Sequence, residues 1–112
     1  MSALDSDLSI NVDAIDKYLR EAIRLNVRRF MSENDLTQRR MSDVSRLSTT
    51  AVSHTMNREY PGLPGLHTVV MFSLAMGMTL DELCGMGELR ARIDEEVSGG
   101  IHDGSESRMA GD

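Results

Sequence analysis

Residues 36 to 58 read LTQRRMSDVSRLSTTAVSHTMNR, and this stretch decides the fold. It contains two short helical patterns with almost nothing between them. Each pattern opens with a hydroxyl residue that can accept a hydrogen bond from the first backbone N–H groups of a helix: Thr37 for the first and Ser48 for the second. The stretch therefore predicts two helices joined by a tight turn, which is the outline of a helix-turn-helix.

The first of these patterns predicts a helix that ends near Ser45 and packs through one face. Its apolar residues are Leu36, Met41 and Val44, and they are expected to face inward. Ser42 is small at the point where the two helices have to approach each other closely.

The second pattern predicts a helix over residues 49 to 57 whose two faces differ in chemistry. Its inward stripe consists of Leu47, Ala51, Val52 and either Thr55 or Met56. Its outward face carries small polar groups and one imidazole: Thr49, Thr50, Ser53, His54 and Asn57. Such a face does little for stability, but groups of this size and chemistry can meet base edges in the major groove of DNA.

The stretch resembles the lambda-repressor-like, or Xre-type, helix-turn-helix family, which includes phage repressors. The resemblance rests on short matches, namely the LTQ at 36–38, Leu47-Ser48, Ala51-Val52-Ser53, and the segments 64–70 and 75–83. It covers roughly residues 16 to 84. The resemblance implies an all-α fold, a compact five-helix DNA-binding bundle to which this chain adds a short C-terminal helix.

By position, the resemblance implies that Thr49, Thr50 and His54 contact bases, with Ser53 beside them. It also implies that Gln38 clamps the DNA backbone. Further phosphate contacts are expected from residues at the end of the first helix and just after the reading helix: Arg28, Arg29, Asn57 and Arg58, with Tyr60 a candidate beside Arg58. Because the reading helix offers no Arg or long amide for a bidentate contact, we expect modest base discrimination and a sizeable contribution from DNA shape.

Arg39 and Arg40 break a local rule of helix design. Two cations in a first helical turn oppose the helix macrodipole, which favours an anion there. A DNA phosphate facing the helix N-terminus would remove the conflict, so both arginines are candidate phosphate contacts and at least one of them is predicted to make such a contact. The alternative is two surface arginines with a dipole penalty of a few tenths of a kcal/mol.

Two positions depart from the pattern of the family. Members often pair an Arg near the end of the first helix with a Glu near the end of the reading helix, and the matching positions here hold Met31 and Met56. Replacing both members of a buried ion pair with apolar residues can be neutral, so we expect these methionines to contact each other. The glycine usual at the turn is Arg46 here, so either the turn differs slightly or Arg46 adopts a left-handed conformation at a cost of about 1 kcal/mol or more.

The first helix is expected to begin after Asn11 as N-cap and to continue to about residue 32. One face is apolar and predicted to be buried, with Ile15, Leu19, Ile23, Val27 and Phe30. Another face carries arginines at positions i, i+4 and i+8, which are Arg20, Arg24 and Arg28. This second face is either a solvated basic surface or a stripe that contacts phosphate or a partner.

Two further helices complete the predicted bundle. Residues 66–76 are apolar almost all round, which predicts the central helix of the core. Thr79 and Glu82 have the spacing of a capping box, which predicts a short helix with Leu80 and Leu83 inward.

The chain is predicted to divide into four parts. Residues 1–12 form a flexible arm, 13–85 the DNA-binding domain, 86–97 a C-terminal helix and 98–112 a disordered tail. The C-terminal helix carries an apolar stripe of Leu89, Ile93 and Val97. This stripe either folds back on the domain or pairs with a second subunit.

The net charge of −6 is distributed unevenly along the chain. Residues 1–15 carry three acids and no base, for a net charge of −3. Residues 16–59 carry nine bases and six acids, for +3. Residues 60–112 carry three bases and nine acids, for −6. The positive segment is the one that contains the helix pair, as expected for a phosphate-facing surface in an acidic chain.

Other classes of function find little support in the sequence. Cys84 is the only cysteine, which fits a reducing cytoplasm, and no signal segment or membrane-spanning run is recognisable. His67, His102 and Cys84 have no metal-ligand spacing, and no catalytic constellation is evident. We therefore expect no enzyme activity, metal or cofactor, no membrane association, and a cytoplasmic, nucleoid-associated location.

These observations predict a sequence-specific transcriptional regulator, a repressor of phage-like or antitoxin-like type. Its expected partners are a double-stranded operator and a second copy of the chain, with residues 86–97 as one candidate pairing surface. A controlling protein partner or antirepressor is a further expectation. The alternative is a helical protein-interaction module that has lost DNA binding and acts through its acidic surface.

Overall fold

The computed structural model describes residues 11–101, and side chains through residue 95. The described part contains six helices and no strand, so the prediction of an all-α fold is confirmed. The helices are α1 (Val12–Glu33), α2 (Gln38–Ser45), α3 (Thr49–Met56), α4 (Leu66–Met76), α5 (Leu80–Cys84) and α6 (Met86–Ile101). Residues 1–10 of the predicted arm and residues 102–112 of the predicted tail lie outside the described residues.

Side-chain caps determine where most of these helices begin. In four helices a side-chain oxygen accepts a hydrogen bond from a first-turn backbone N–H at 3.0 or 3.1 Å, and the capping residues are Asn11 for α1, Thr37 for α2, Ser48 for α3 and Thr79 for α5. Glu82 completes the box at α5 by accepting from the backbone N–H of Thr79 at 2.8 Å. Each of these caps was predicted from a polar residue directly before a helical pattern.

The helices enclose one apolar core. Its fully or nearly buried members are Ile23, Val27, Met31, Met41, Leu47, Val52, Val69, Phe72 and Leu83. The long helix α1 packs against α3, α4 and α5, and therefore forms the spine of the bundle. Met56 packs against this core, of which Met31 is a member. The contact between these two side chains stays a prediction.

The turn between α2 and α3 is tight and internally bonded. The hydroxyl of Ser42 donates to the carbonyl of Leu47, and that of Ser45 donates to the carbonyl of Met41 at 2.7 Å. Arg46 ends α2 in the left-handed conformation, with φ 62° and ψ 26°. An arginine therefore holds the conformation for which glycine is the usual residue.

Substituting Arg46→Gly is expected to stabilise the protein by about 0.5–1 kcal/mol. Removing Cβ relieves a left-handed penalty of about 1–2 kcal/mol, and the greater freedom of glycine in the unfolded chain offsets part of that gain. Urea denaturation of the two proteins measures the difference. Arg46→Ala is the control, because it removes the charge but keeps Cβ; equal stabilisation by both variants would contradict the strain argument.

Four apolar residues that were predicted to face inward are exposed. The exposed fractions are 43% for Val44, 74% for Leu66, 72% for Leu74 and 41% for Leu80. The buried face of α2 consists of Met41, Ser42 and Ser45, and Val44 lies off that face. The prediction that α4 is the central helix was wrong, because α4 buries only Val69 and Phe72 and leaves its opposite side in solvent.

The C-terminal helix is longer than predicted and starts against its own domain. It continues to Ile101 rather than ending at residue 97. Leu89 is buried, Ile93 is half-buried, and the guanidinium of Arg92 lies 5.1 Å from the centre of the Tyr18 ring. Of the two interpretations of the apolar stripe, folding back on the domain applies to these first turns; the side chain of Val97 lies outside the described side chains.

Candidate nucleic-acid interface

The outer face of α3 carries the residues that were predicted to contact bases. Thr49, Thr50, Ser53 and His54 are all exposed, while Val52 on the opposite face is completely buried. The burial of Val52 fixes the rotation of this two-turn helix, because side chains three or four residues apart share a face. The helix therefore presents hydroxyl groups and one imidazole to solvent on a rigid support.

The first turn of α2 presents its polar residues to solvent in the same way. Gln38, Arg39 and Arg40 are exposed, and the side chain of Thr37 caps the helix. Within the described residues, neither arginine forms a salt bridge. Because α2 and α3 pack directly against each other, two exposed cations are held on the helix adjacent to the polar face of α3.

The remaining predicted phosphate contacts lie at the surface, and two of them have local partners. Arg28 and Arg29 are exposed near the end of α1, and Arg29 donates from Nη1 to Oδ1 of Asn26 at 2.9 Å. Asn57 is exposed and ends α3, and its Oδ1 accepts from the backbone N–H of Glu59 at 2.9 Å. The amide nitrogen of Asn57 is thus the group on this side chain that could donate to a phosphate, beside exposed Arg58.

An aromatic stack connects α3 to the loop that follows it. The rings of His54 and Tyr60 are 4.0 Å apart between centroids and 12° from parallel. The carbonyl of Tyr60 accepts a hydrogen bond from Nη1 of Arg20 on α1 at 3.2 Å. The stack holds the imidazole in one orientation, which no local signal in the sequence indicated.

The predicted basic face of α1 is not continuous, because Arg24 is buried. The residue is only 4% exposed and donates to the Glu21 carboxylate from Nε at 3.4 Å and from Nη2 at 2.5 Å. Hydrogen bonding from Arg24 holds the pKa of Glu21 below its ordinary value; burial opposes this shift, and the charges of Arg24, Arg58 and Lys17 add to it. Arg24 is therefore part of the packed structure rather than of a continuous solvated stripe.

Substituting Glu21→Gln is expected to cost about 1 kcal/mol of stability at neutral pH, because Arg24 stays buried without a charged partner while the 45% exposed carboxylate is partly screened. The folded-state pKa of Glu21 is depressed, so its contribution is present above the ordinary value of 4.5 and is lost as pH falls through the folded value. Urea denaturation at neutral pH and at low pH should show a difference between wild type and variant that shrinks on acidification.

Glu88→Gln provides the control for that measurement. Glu88 pairs with Arg92 at 2.8 Å, but both side chains are at least 60% exposed, so the expected cost is below about 0.5 kcal/mol. A pH-independent cost at Glu21, or equal costs at both positions, would contradict the account of the Arg24 pair.

Three further observations bear on the kind of site. Among the residues that the structure describes, no group of three or more His, Cys, Asp or Glu side chains could hold a metal ion. None of the described helices is both long and apolar enough to cross a membrane. Comparison of the chain with known protein families, curated proteins and solved structures finds no match.

Proposed function

We propose that the chain is a DNA-binding transcriptional regulator with a lambda-repressor-like, Xre-type helix-turn-helix, and that α3 reads the major groove. The observation that carries this proposal is the exposed polar face of α3 beside an α2 whose first turn holds two arginines outside any described salt bridge. Neither feature contributes to packing, and both have the chemistry that a DNA duplex requires.

Phosphate contacts at the N-terminus of α2 set the orientation of the protein on DNA. Gln38, Arg39 and Arg40 donate to phosphate oxygens, and the negative charge of the phosphate complements the helix dipole that the two arginines otherwise oppose. Arg28 and Arg29 at the end of α1, and Asn57 and Arg58 after α3, add contacts on the flanking backbone. These contacts supply affinity without sequence information.

Base recognition is assigned to Thr49, Thr50, Ser53 and His54. Threonine and serine hydroxyls donate to or accept from several bases, and a threonine methyl packs on the methyl of thymine. The ring of His54 is held by Tyr60, so its edge approaches a base with little loss of side-chain freedom. Because no side chain on this face of α3 is an Arg or a long amide that could form two hydrogen bonds to one base, part of the discrimination between DNA sequences comes from DNA shape.

The proposal includes a homodimer on a two-fold operator, because two half-sites about one helical turn apart double the contacts of so small a reader. Residues 86–97 remain a candidate pairing surface, although Leu89 is already buried within its own chain. We further propose a repressor of phage-like or antitoxin-like type, without cofactor or enzyme activity, acting in the cytoplasm at the nucleoid. A protein partner or antirepressor is proposed as its control.

A second candidate is a protein-interaction module that acts through an acidic surface. It is favoured by the balance of residues 60–112, which carry nine acids and three bases, and by the exposure of Leu66 and Leu74 on α4. A partner with basic and apolar groups would suit such a segment.

Recovery of genomic DNA fragments on the purified protein tests the first candidate. At about 150 mM salt, where non-specific binding is weak, wild type should enrich fragments that share an inverted repeat. A Thr50→Ala, His54→Ala double variant should lose this enrichment, whereas His67→Ala, which removes an exposed histidine from α4, should keep it. Absence of enrichment by wild type would favour the protein-interaction module.

A further inference from the structure

A cleft of about 670 Å³ lies between α1, the second half of α3 and the loop over residues 57–65. Its walls include charged and aromatic side chains from all three segments: Lys17, Arg20, Glu21, His54, Arg58 and Tyr60. The volume is within the range of small-molecule sites in proteins, about 300–1,000 Å³. The lining residues His54, Asn57 and Arg58 are also assigned to DNA contacts, but the wall that α1 forms is not used by the DNA-reading proposal.

The cleft is strongly positive in an acidic chain. Four cationic residues line it, Lys17, Arg20, Arg24 and Arg58, against the single carboxylate of Glu21. Four positive charges and one negative charge give +3, whereas the whole chain carries −6. Glu21 is already engaged by Arg24, and the charges of Arg58 and Lys17 also help to hold the pKa of Glu21 below its ordinary value. The other cations therefore lack a matching anion in the cleft.

Arg20 has an unused donor at this position. Its Nη1 donates to the carbonyl of Tyr60, but its Nε is shielded from solvent and has no hydrogen-bond acceptor among the described residues. A guanidinium N–H removed from water is normally paired, and a planar guanidinium binds phosphate oxygens especially well. The guanidinium has further N–H groups besides the shielded Nε and the one that Nη1 donates to Tyr60, and an anionic ligand in the cleft can accept from those.

The rest of the lining favours a ligand that also has an apolar or flat part. Tyr60 presents an aromatic ring stacked on His54, and Leu63, Pro64 and Ala51 add apolar surface. Lining of mixed character, with a few polar groups that fix one end of the ligand, is typical of sites for small organic molecules.

We propose that this cleft binds a small phosphorylated organic molecule, whose phosphate is held by Arg20 with Lys17 and Arg58 and whose organic part lies against Tyr60. Because Tyr60 is stacked on His54, an occupant that shifts the tyrosine also shifts the imidazole on the reading helix. The ligand would thereby change the affinity for DNA. The binding site stands independently of DNA recognition; this last step rests on the proposed function.

Titration of the DNA-free protein with phenyl phosphate, followed by the NMR signals of Tyr60 and His54, tests the site. Wild type should bind saturably at about 150 mM salt, and benzyl alcohol, which lacks the anion, should not. Arg20→Met keeps the aliphatic part of the side chain but removes the guanidinium group, and it should weaken binding about tenfold or more. Arg90→Met removes an exposed arginine on α6, outside the cleft, and should leave binding unchanged.

Arg20→Lys keeps the experiment decisive if the methionine variant fails to fold. Lysine retains the positive charge but lacks the planar guanidinium group that can donate two hydrogen bonds to one phosphate, so this variant should bind severalfold more weakly. Absence of saturable binding by wild type, or equal binding by the folded Arg20 and Arg90 variants, would overturn the proposal. So would equal saturable binding of benzyl alcohol by wild type, because the anion would then play no part in recognition.

The regulatory step has its own readout. Phenyl phosphate should change the affinity of wild type for an enriched duplex and leave that of Arg20→Met unchanged. If phenyl phosphate binds without changing the affinity for DNA, the ligand site is supported and its coupling to DNA binding is contradicted. If the protein binds phenyl phosphate but enriches no DNA, the proposed function fails while the proposed ligand site stands.

Discussion

Reversing both Arg39 and Arg40 to glutamate is expected to lower the affinity for an operator duplex by about 10³-fold at 150 mM salt. Each arginine is assigned a charge-assisted bond to a phosphate, worth about 1.5–3 kcal/mol, and a glutamate adds repulsion. Because the variant neutralises two fewer phosphates, the slope of log affinity against log salt should also become shallower by about two. Fluorescence anisotropy over a range of salt concentrations measures both quantities.

The matched control is Arg90→Glu with Arg92→Glu on α6. Both residues are 60% exposed at the side chain, and either double reversal changes the net charge from −6 to −10, since each Arg-to-Glu change contributes −2. If charge alone governed binding, the two double variants would behave alike. Equal losses would contradict a specific role for the N-terminus of α2, and an unchanged affinity of the Arg39, Arg40 variant would contradict it directly.

Substituting Gly85→Ala is expected to cost about 2–3 kcal/mol of stability. Gly85 links α5 to α6 with φ +66°, a conformation that costs an L-residue about 1–2 kcal/mol. A Cβ there would lie 2.7 Å from the hydroxyl of Tyr18 and 3.3 Å from Cβ of Ala22. The tyrosine would have to move, which breaks its 2.7 Å hydrogen bond to the Gly85 carbonyl, a loss of about 1 kcal/mol.

Gly77→Ala separates the two contributions to that cost. Gly77 has nearly the same backbone angle, φ +68°, but a Cβ there would meet nothing within 4 Å. Its substitution should therefore cost only the conformational term, about 1–2 kcal/mol. Thermal or urea unfolding of the two variants gives the comparison, and equal costs would show that the Tyr18 contact contributes nothing.

The local part of the fold could be predicted from the sequence because it depends on neighbours in the chain. Caps such as Thr37 and Ser48 lie within three residues of the groups they bond, so the starts of α2 and α3 were predicted correctly. The position of the turn was also local, but its conformation was left open, and the structure shows that Arg46 adopts the left-handed one.

Burial could not be predicted as well, because it depends on which elements surround a helix. The apolar composition of α4 predicted a central position, yet Leu66 and Leu74 face solvent. The spacing of Glu21 and Arg24 permits an ion pair on any helix, and only the packing around α1 buries the arginine. Helical periodicity identifies a face but not what covers it.

The candidate site divides in the same way. The exposure of Thr50 and Ser53 follows from the period of α3 and was predicted. The stacking of Tyr60 on His54 and the approach of Arg20 to the Tyr60 carbonyl depend on the path of the loop over residues 57–65. The prolines and glycines of that loop favour a turn but do not determine its direction.

The most direct test of the central claim is an NMR titration of the isotope-labelled protein with a short duplex of arbitrary sequence at about 50 mM salt. Non-specific binding uses the same phosphate-facing surface, so no operator is needed. We predict that the backbone amides of residues 37–40 and 48–57 shift first and furthest. Shifts confined to residues 79–95, or no shifts at all, would contradict the assignment of α2 and α3 as the DNA-reading surface.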